Sequence, residues 1–292
     1  MYDADELTDE IGKMLRRLAV ERVLDCAAGS GVPSIGLRRM GLPVTCSDGS
    51  PEMVARFKLN AKRRGVQGDV QCDVVDWADL DPADGTYDYV MCRGNSLVYA
   101  STWGTDADVT SGLDALERYV RRFAAVVEPG GWLHIDAPLA MSSGTARTMG
   151  YAIDDDDRFV EVSVTECVIE RAASRYWRCI VSADWGDGEV GRLEFGMHSA
   201  KLTVDVLAEM LGRNGFVYWG RPDFDGDRMS HPALLARRAP SADVPSPVAP
   251  VGSSSPLRCR VPRPTASPLV PWSRSLFAQA ASTPSPVPIS LQ

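Results

Sequence analysis

Residues 22–37 read RVLDCAAGSGVPSIGL: an apolar pair closing on Asp25, a run of small residues holding Gly29 and Gly31, then helical spacing from Ser34. A strand that ends in an acid and opens into so little side chain has two explanations. After the first strand of an open α/β sheet, a nucleotide-type cofactor demands close approach of the backbone. A tight turn demands glycine only for its positive φ. The rest of the chain has to choose between them.

Upstream, Leu7, Ile11, Leu15 and Leu18 give residues 6–18 helical spacing, and residues 21–27 follow as a short buried strand. Downstream an alternation sets in. Residues 34–40 are helical and 42–48 (LPVTCSD) a strand; 50–65 form a helix opening with Ser-Pro and closing at Gly65, and 69–77 a strand. Residues 86–95 (TYDYVMCRGN) make a fourth strand, 113–127 a helix, 128–132 (EPGGW) a turn and 132–138 (WLHIDAP) a fifth strand. Each strand is short and apolar, as a sheet covered on both faces requires. The alternation predicts a doubly wound parallel sheet.

After Ala140 the rhythm changes. Residues 158–170, 175–188 and 189–199 read as antiparallel strands with a hairpin at Gly186 to Gly188, expected to form a small cap near the carboxyl ends of the parallel strands. Residues 202–216 are a helix ending at Gly215, and 232–238 (PALLARR) a last strand.

Of 20 prolines in 292 residues, 12 lie from Pro240 onward among Ser, Ala and Val without apolar periodicity, so residues 240–292 read as a disordered Pro/Ser-rich tail. The body, 1–239, then holds 27 basic against 38 acidic residues, a net charge of −11 that disfavours nucleic acid as a partner. No run of about 18 apolar residues marks a membrane span, and MYDADELTDE is no secretory leader, so a cytoplasmic location is expected. Seven scattered cysteines with no C-x-x-C pair read as small buried hydrophobes, and no metal site is expected.

The dinucleotide fingerprint wants a third Gly or Ala after the second glycine, and Gly31 is followed by Val32, Pro33 and Ser34. No Tyr-x-x-x-Lys pair occurs either, which weakens a nicotinamide oxidoreductase. VLDCAAGSG instead resembles the first motif of the class I S-adenosylmethionine-dependent methyltransferases. The resemblance implies a Rossmann-like, mostly parallel seven-stranded sheet with the antiparallel cap inserted at about 141–198, and S-adenosylmethionine as cofactor. It makes Asp25, Ala27, Gly29 and Gly31 the loop that admits the methionine part, where a bulky Cβ would block entry and the amides at the next helix start suit a carboxylate. Asp48, ending the second strand, would accept both ribose hydroxyls, with Gly49, Ser50 and Met53 beside it. Asp76 and Trp77 would hold the adenine, the carboxylate taking the exocyclic amine. The Pro-Gly-Gly of residues 127–136 matches a structural hairpin recurrent in these enzymes.

Within the family the likeness is nearest to the glycine and glycine/sarcosine N-methyltransferases. They carry Cys-Leu-Gly-Asn-Ser after strand four, where this chain has Cys92, Arg93, Gly94, Asn95 and Ser96. The resemblance implies that Cys92 and Arg93 to Ser96 border the cofactor and that Asn95 also faces the substrate. Two departures stand out. Those relatives place a carboxylate-binding Arg two residues beyond the strand-five acid, whereas Ala137 and Pro138 follow Asp136 here. Their N-terminal arm is also longer, so Tyr2 is read as the remnant of a lid over the cofactor.

The expected activity is methylation of a small-molecule amine, glycine-like but with its carboxylate masked; a homo-oligomer is left open. An amine must arrive neutral, and Asp136, Glu166, Glu194 and His198 are candidates to take its proton, with Asn95, Asp136 and His198 singled out as catalytic. Tyr151, Tyr176 and Trp177 could wall an amine pocket or simply pack a core, and Asp154 to Asp157 read as a solvated turn. Arg93 and Arg147 are the two cations placed to replace the missing Arg. Small-molecule O-methylation is the alternative.

Overall fold

A computed structural model describes residues 4–66, 68–94, 96–100, 112–136, 146–155, 158–170, 174–184, 190–220 and 233–240. The chain divides into two compact units. The first holds a seven-stranded sheet ordered β10-β11-β5-β4-β1-β2-β3, from β1 (Val23–Asp25), β2 (Val44–Asp48), β3 (Cys72–Val74), β4 (Tyr87–Cys92), β5 (Val127–Asp136), β10 (Phe216–Gly220) and β11 (Ala233–Arg238). Strands β1 to β5 are parallel; β11 runs antiparallel to both β5 and β10. The doubly wound, mostly parallel sheet expected from the alternation is present. With β4 central and β1 beside it, the strand order reverses at β1/β4, the place where open α/β sheets gather their sites at the carboxyl ends.

Helices α1 (Ala4–Arg17), α2 (Ser34–Arg39), α3 (Pro51–Arg63), α4 (Ser96–Ala100), α5 (Gly112–Val126) and α6 (Val204–Arg213) accompany this sheet. Leu7, Ile11 and Leu15 of α1, Leu37 of α2, and Val54 and Phe57 of α3 bury their side chains in one cluster with Val23, Cys46, Tyr89 and Met91 of the strands. On the opposite face of β4 and β5, Val90, Cys92, Leu133 and Ile135 are buried as well. Burial on both faces is why these strands read as nearly unbroken apolar runs. Ser50 caps α3, its hydroxyl accepting from the Met53 amide at 3.2 Å with Pro51 at the first helical position.

The Pro-Gly-Gly read as a hairpin lies inside β5, where the pairing with β4 slips between Tyr87 and Tyr89. Gly131 fits that irregularity because a Cβ would come within 2.9 Å of the Asp88 carbonyl oxygen.

The second unit holds an antiparallel sheet ordered β6 (Ala146–Asp155), β7 (Arg158–Glu170), β8 (Ser174–Asp184) and β9 (Val190–Ala200). The sequence reading found three of these strands and missed β6. Asp154 and Asp155, read as part of a solvated turn, are the last residues of β6 and pair with Phe159 and Arg158. The tail beyond Pro240 lies outside the described residues. Among the described residues no helix is long and apolar enough to cross a membrane.

Candidate active site

The loop after β1 is fixed by its own amides. Ala27 N–H reaches Asp25 Oδ1 at 3.3 Å, Ala28 N–H donates to the Ser47 carbonyl at 3.1 Å, and Gly29 N–H donates to Asp48 Oδ2 at 2.8 Å. Asn60 of α3 donates to the Ser30 carbonyl at 2.8 Å. Gly31 has φ +106°, and a Cβ there would lie 2.3 Å from Ile35 Cδ1, so the position admits only glycine. Gly29 has φ +52° yet faces open space: an added Cβ would meet nothing nearer than the Ala27 carbonyl at 4.0 Å. Gly31 is therefore a packing glycine, and Gly29 leaves room beside the loop. The start of α2 offers less than expected to a ligand carboxylate, because the Ile35 amide already donates to the Gly31 carbonyl at 2.8 Å.

Asp48 ends β2 half-buried, its Oδ1 accepting the Ser50 amide at 2.9 Å. Both its oxygens are oriented by backbone, and each retains a lone pair for a ligand hydroxyl. Beside it Gly49 is open, a Cβ meeting only the Val75 carbonyl at 4.0 Å, and the Met53 side chain is exposed in the first turn of α3. Asp76 is exposed; its Oδ1 accepts the Ala78 amide at 2.8 Å, which leaves Oδ2 for a ligand amine. Trp77 is buried, its indole N–H donating to the Cys26 carbonyl at 2.6 Å and its ring meeting Tyr119 and Phe123 edge-on, each at 5.3 Å between centroids. The indole thus ties the glycine loop to α5, and its ring edge is spent on core packing.

At the ends of β4 and β5, Cys92 is a buried thiol, and Gly94, with φ +74°, donates its amide to Asp136 Oδ2 at 2.6 Å. Arg93 is buried beside Asp136, Nε to Oδ1 3.4 Å. One turn deeper, the Tyr89 hydroxyl and His134 Nδ1 are 2.6 Å apart. Burial, and secondarily the Arg93 charge, hold the His134 pKa well below its usual value, so the imidazole is neutral. The sequence reading passed over Tyr89 and His134; the signal was there in their spacing, two residues below Asp136 in one strand and four below Arg93 in the other.

Asp25 is buried, with Ser34 Oγ donating to its Oδ2 at 2.5 Å. Burial pushes its carboxyl up to about 6, against the pull of Ser34, the Ala27 amide and the Arg93 charge. A carboxyl raised in the folded state contributes stability that is complete below its ordinary value of 3.8 and is lost as pH rises through about 6. The loss amounts to about 3 kcal/mol at most. Asp25→Asn, which keeps an acceptor for the loop, is therefore expected to raise the thermal midpoint at pH 8, with the gain vanishing near pH 4. No gain at pH 8 would show that the ionised carboxylate is fully compensated in the fold.

His198 stands in β9 opposite Tyr176 of β8, ring centroids 4.7 Å apart, and the Tyr176 ring also covers Gly196, where a Cβ would sit 2.1 Å from its hydroxyl. Tyr176 is thus committed to its own sheet. Glu194 pairs with Arg178 at 2.5 Å. Tyr2, Asn95 and Pro138 lie outside the described residues, as do the side chains of Arg147, Tyr151, Glu166 and Trp177.

Residues 23–131 match the methyltransferase domain family. That segment is similar to methyltransferase domains. Over 87 residues it is 38% identical to a glycine/sarcosine N-methyltransferase of Halorhodospira halochloris, a match covering 29% of this chain and 31% of that one. Over 119 residues it is 40% identical to a ubiquinone biosynthesis O-methyltransferase of Xanthomonas euvesicatoria, covering 40% and 43%. The chain thus spans less than half the length of these curated relatives. Among solved structures, the amino pentose methyltransferase CalS10 of Micromonospora echinaspora superposes with a TM-score of 0.61 at 15% identity, covering 82% of this chain and 92% of that one; the likeness is one of fold. The methyltransferase domain covers the glycine loop and the ends of β1 to β4; Asp136 lies five residues beyond the match.

Proposed function

We propose that this chain transfers a methyl group from S-adenosylmethionine to the nitrogen of a small amine. The observation that carries the reading is the Gly29 cradle held on Asp48, next to an exposed acid at the end of β3, in a domain similar to glycine/sarcosine N-methyltransferases. In this reading Asp48 receives the ribose hydroxyls, and Asp76 Oδ2 the adenine amine. The Trp77 backbone bounds the ring, while its indole keeps the loop in place. Gly49 and Met53 flank the nucleoside, and Ala27, Gly29 and Gly31 leave room for the methionine part. Cys92, Arg93 and Gly94 border it from β4, as Tyr2 does from the N-terminal arm.

The cofactor supplies an electrophilic methyl on a sulfonium, displaced in line by the amine lone pair. Such chemistry asks the protein mainly to align and to exclude water, worth about 7 to 11 kcal/mol. Asp136 serves as a positioning group in this scheme, holding the Gly94 amide at the end of β4, and Asn95 is proposed to face the acceptor. His198 is the side chain proposed to accept the amine proton.

For the substrate we infer an amine whose neighbouring carboxylate is masked as an amide or ester. Pro138 stands where the resembled enzymes place a carboxylate clamp, and the Arg93 guanidinium, which could replace it, is buried against Asp136. Burying a carboxylate without a charged partner costs several kcal/mol. The similarity to an O-methyltransferase favours a hydroxyl acceptor as the second reading.

The test is a titration of S-adenosylmethionine and of NADH by calorimetry, followed by turnover of glycine, glycinamide and a small phenol. Binding of the first ligand alone and methylation of glycinamide well above glycine are expected. NADH binding would overturn the class, turnover of the phenol alone the nitrogen acceptor, and efficient methylation of free glycine the masked carboxylate.

A further inference from the structure

Register places five buried ionisable groups on one face of the sheet. Asp25 pairs with Met91, and Met91 with His134, so in parallel strands the three side chains share a face. Alternation brings Arg93 and Asp136 to the same face two residues further along. Asp25, Arg93 and Asp136 are 2%, 6% and 1% exposed. Arg93 Nε lies 3.4 Å from Asp136 Oδ1, and its charge also acts on Asp25. The Tyr89–His134 pair beneath adds no charge, since burial keeps the phenol protonated and the imidazole neutral.

Among the described residues the layer therefore holds two carboxylate side chains against one guanidinium. A buried excess of negative charge disfavours the fold unless a cation completes it. An amide at position 25 would offer one acceptor to the Ala27 amide and the Ser34 hydroxyl and no charge, so the carboxylate brings to the loop a charge that a cationic ligand can answer.

We propose that the Asp25–Arg93–Asp136 layer sets the preference of this site for a cationic cofactor over its neutral product, favouring the sulfonium of S-adenosylmethionine over the thioether of S-adenosylhomocysteine. The proposal rests on the functional reading above. When the S–CH3 bond breaks and the N–CH3 bond forms, the electron pair of the broken bond stays on sulfur, which loses its positive charge; the methylated nitrogen takes up that charge and then passes a proton to the base proposed above. Adenine, ribose and the amino-acid end are unchanged. An uncompensated negative charge under the loop, poorly screened in that setting, thus acts on the one feature that distinguishes the two ligands, and weakens product retention at each turnover.

The experiment measures dissociation constants of S-adenosylmethionine and S-adenosylhomocysteine by calorimetry at pH 7.5 for the full chain, Asp25→Asn and Asp48→Asn. Asp25→Asn is expected to lower the affinity ratio in favour of S-adenosylmethionine by about five- to tenfold, chiefly by weakening that ligand. Asp48→Asn should weaken both in parallel, because the ribose is common to them. Parallel losses in Asp25→Asn, or no loss at all, would overturn the proposal while leaving the functional reading intact. Failure of the unmodified chain to bind S-adenosylmethionine would overturn that reading and this inference with it.

Discussion

Arg93→Leu is expected to cost the fold about 3 to 5 kcal/mol, seen as a lower urea midpoint, although leucine is the residue the resembled glycine enzymes carry there. The reason is what the substitution leaves behind. Asp136 is 1% exposed, and with Arg93 gone the Gly94 amide, at 2.6 Å, is the one donor among the described residues that would still face its charge. The pair itself need not be strongly stabilising, since the desolvation of two ions offsets most of their attraction. Arg93→Leu combined with Asp136→Asn should therefore recover most of the loss: asparagine still accepts from Gly94 but carries no charge. A double variant no more stable than Arg93→Leu alone would show that the guanidinium is held for its packing rather than for Asp136.

What the sequence disclosed about the fold follows from distance along the chain. The alternation of short apolar runs with helical spacing is local, so β1 to β5 and the helices α2, α3 and α5 between them were readable, as was Ser50 as a cap with Pro51 behind it. Elements without a local signature were lost. The β6 stretch, ARTMGYAIDD, has no regular alternation; β10 is five residues following directly on a helix, and α4 is a five-residue helix. Pro-Gly-Gly carried a correct turn signal, but the chain spends it on an irregularity inside β5 rather than on a connection.

The site divides the same way. Acids at strand ends are visible because each follows its own apolar run: Asp25, Asp48, Asp76, Asp136. Their partners are not. Trp77 donates to a carbonyl 51 residues away, and Arg93 meets Asp136 across 43 residues, relations set by which strands pair and in what register. A single chain read along its length shows that Tyr89 and Arg93 share a face, and that His134 and Asp136 share one. Only the pairing of β4 with β5 makes these the same face.

Asp48→Ala is expected to weaken S-adenosylmethionine binding by about 10- to 100-fold, the worth of about 1.5 to 3 kcal/mol for hydrogen bonds to a charged group. Two roles converge on this carboxylate: it takes the Gly29 amide at 2.8 Å and the Ser50 amide at 2.9 Å, and it is the proposed acceptor for the ribose. Alanine removes both at once, so the loop should loosen and the thermal midpoint of the unliganded chain should fall along with affinity. Asp48→Asn separates them. Its side-chain oxygen can still accept from one of the two amides, so the midpoint should largely return, but its NH2 face cannot accept and its charge is gone, so affinity should stay low. Recovery of both midpoint and affinity in Asp48→Asn would reduce Asp48 to a prop for the loop, and unchanged affinity in a folded Asp48→Ala would remove it from the site altogether.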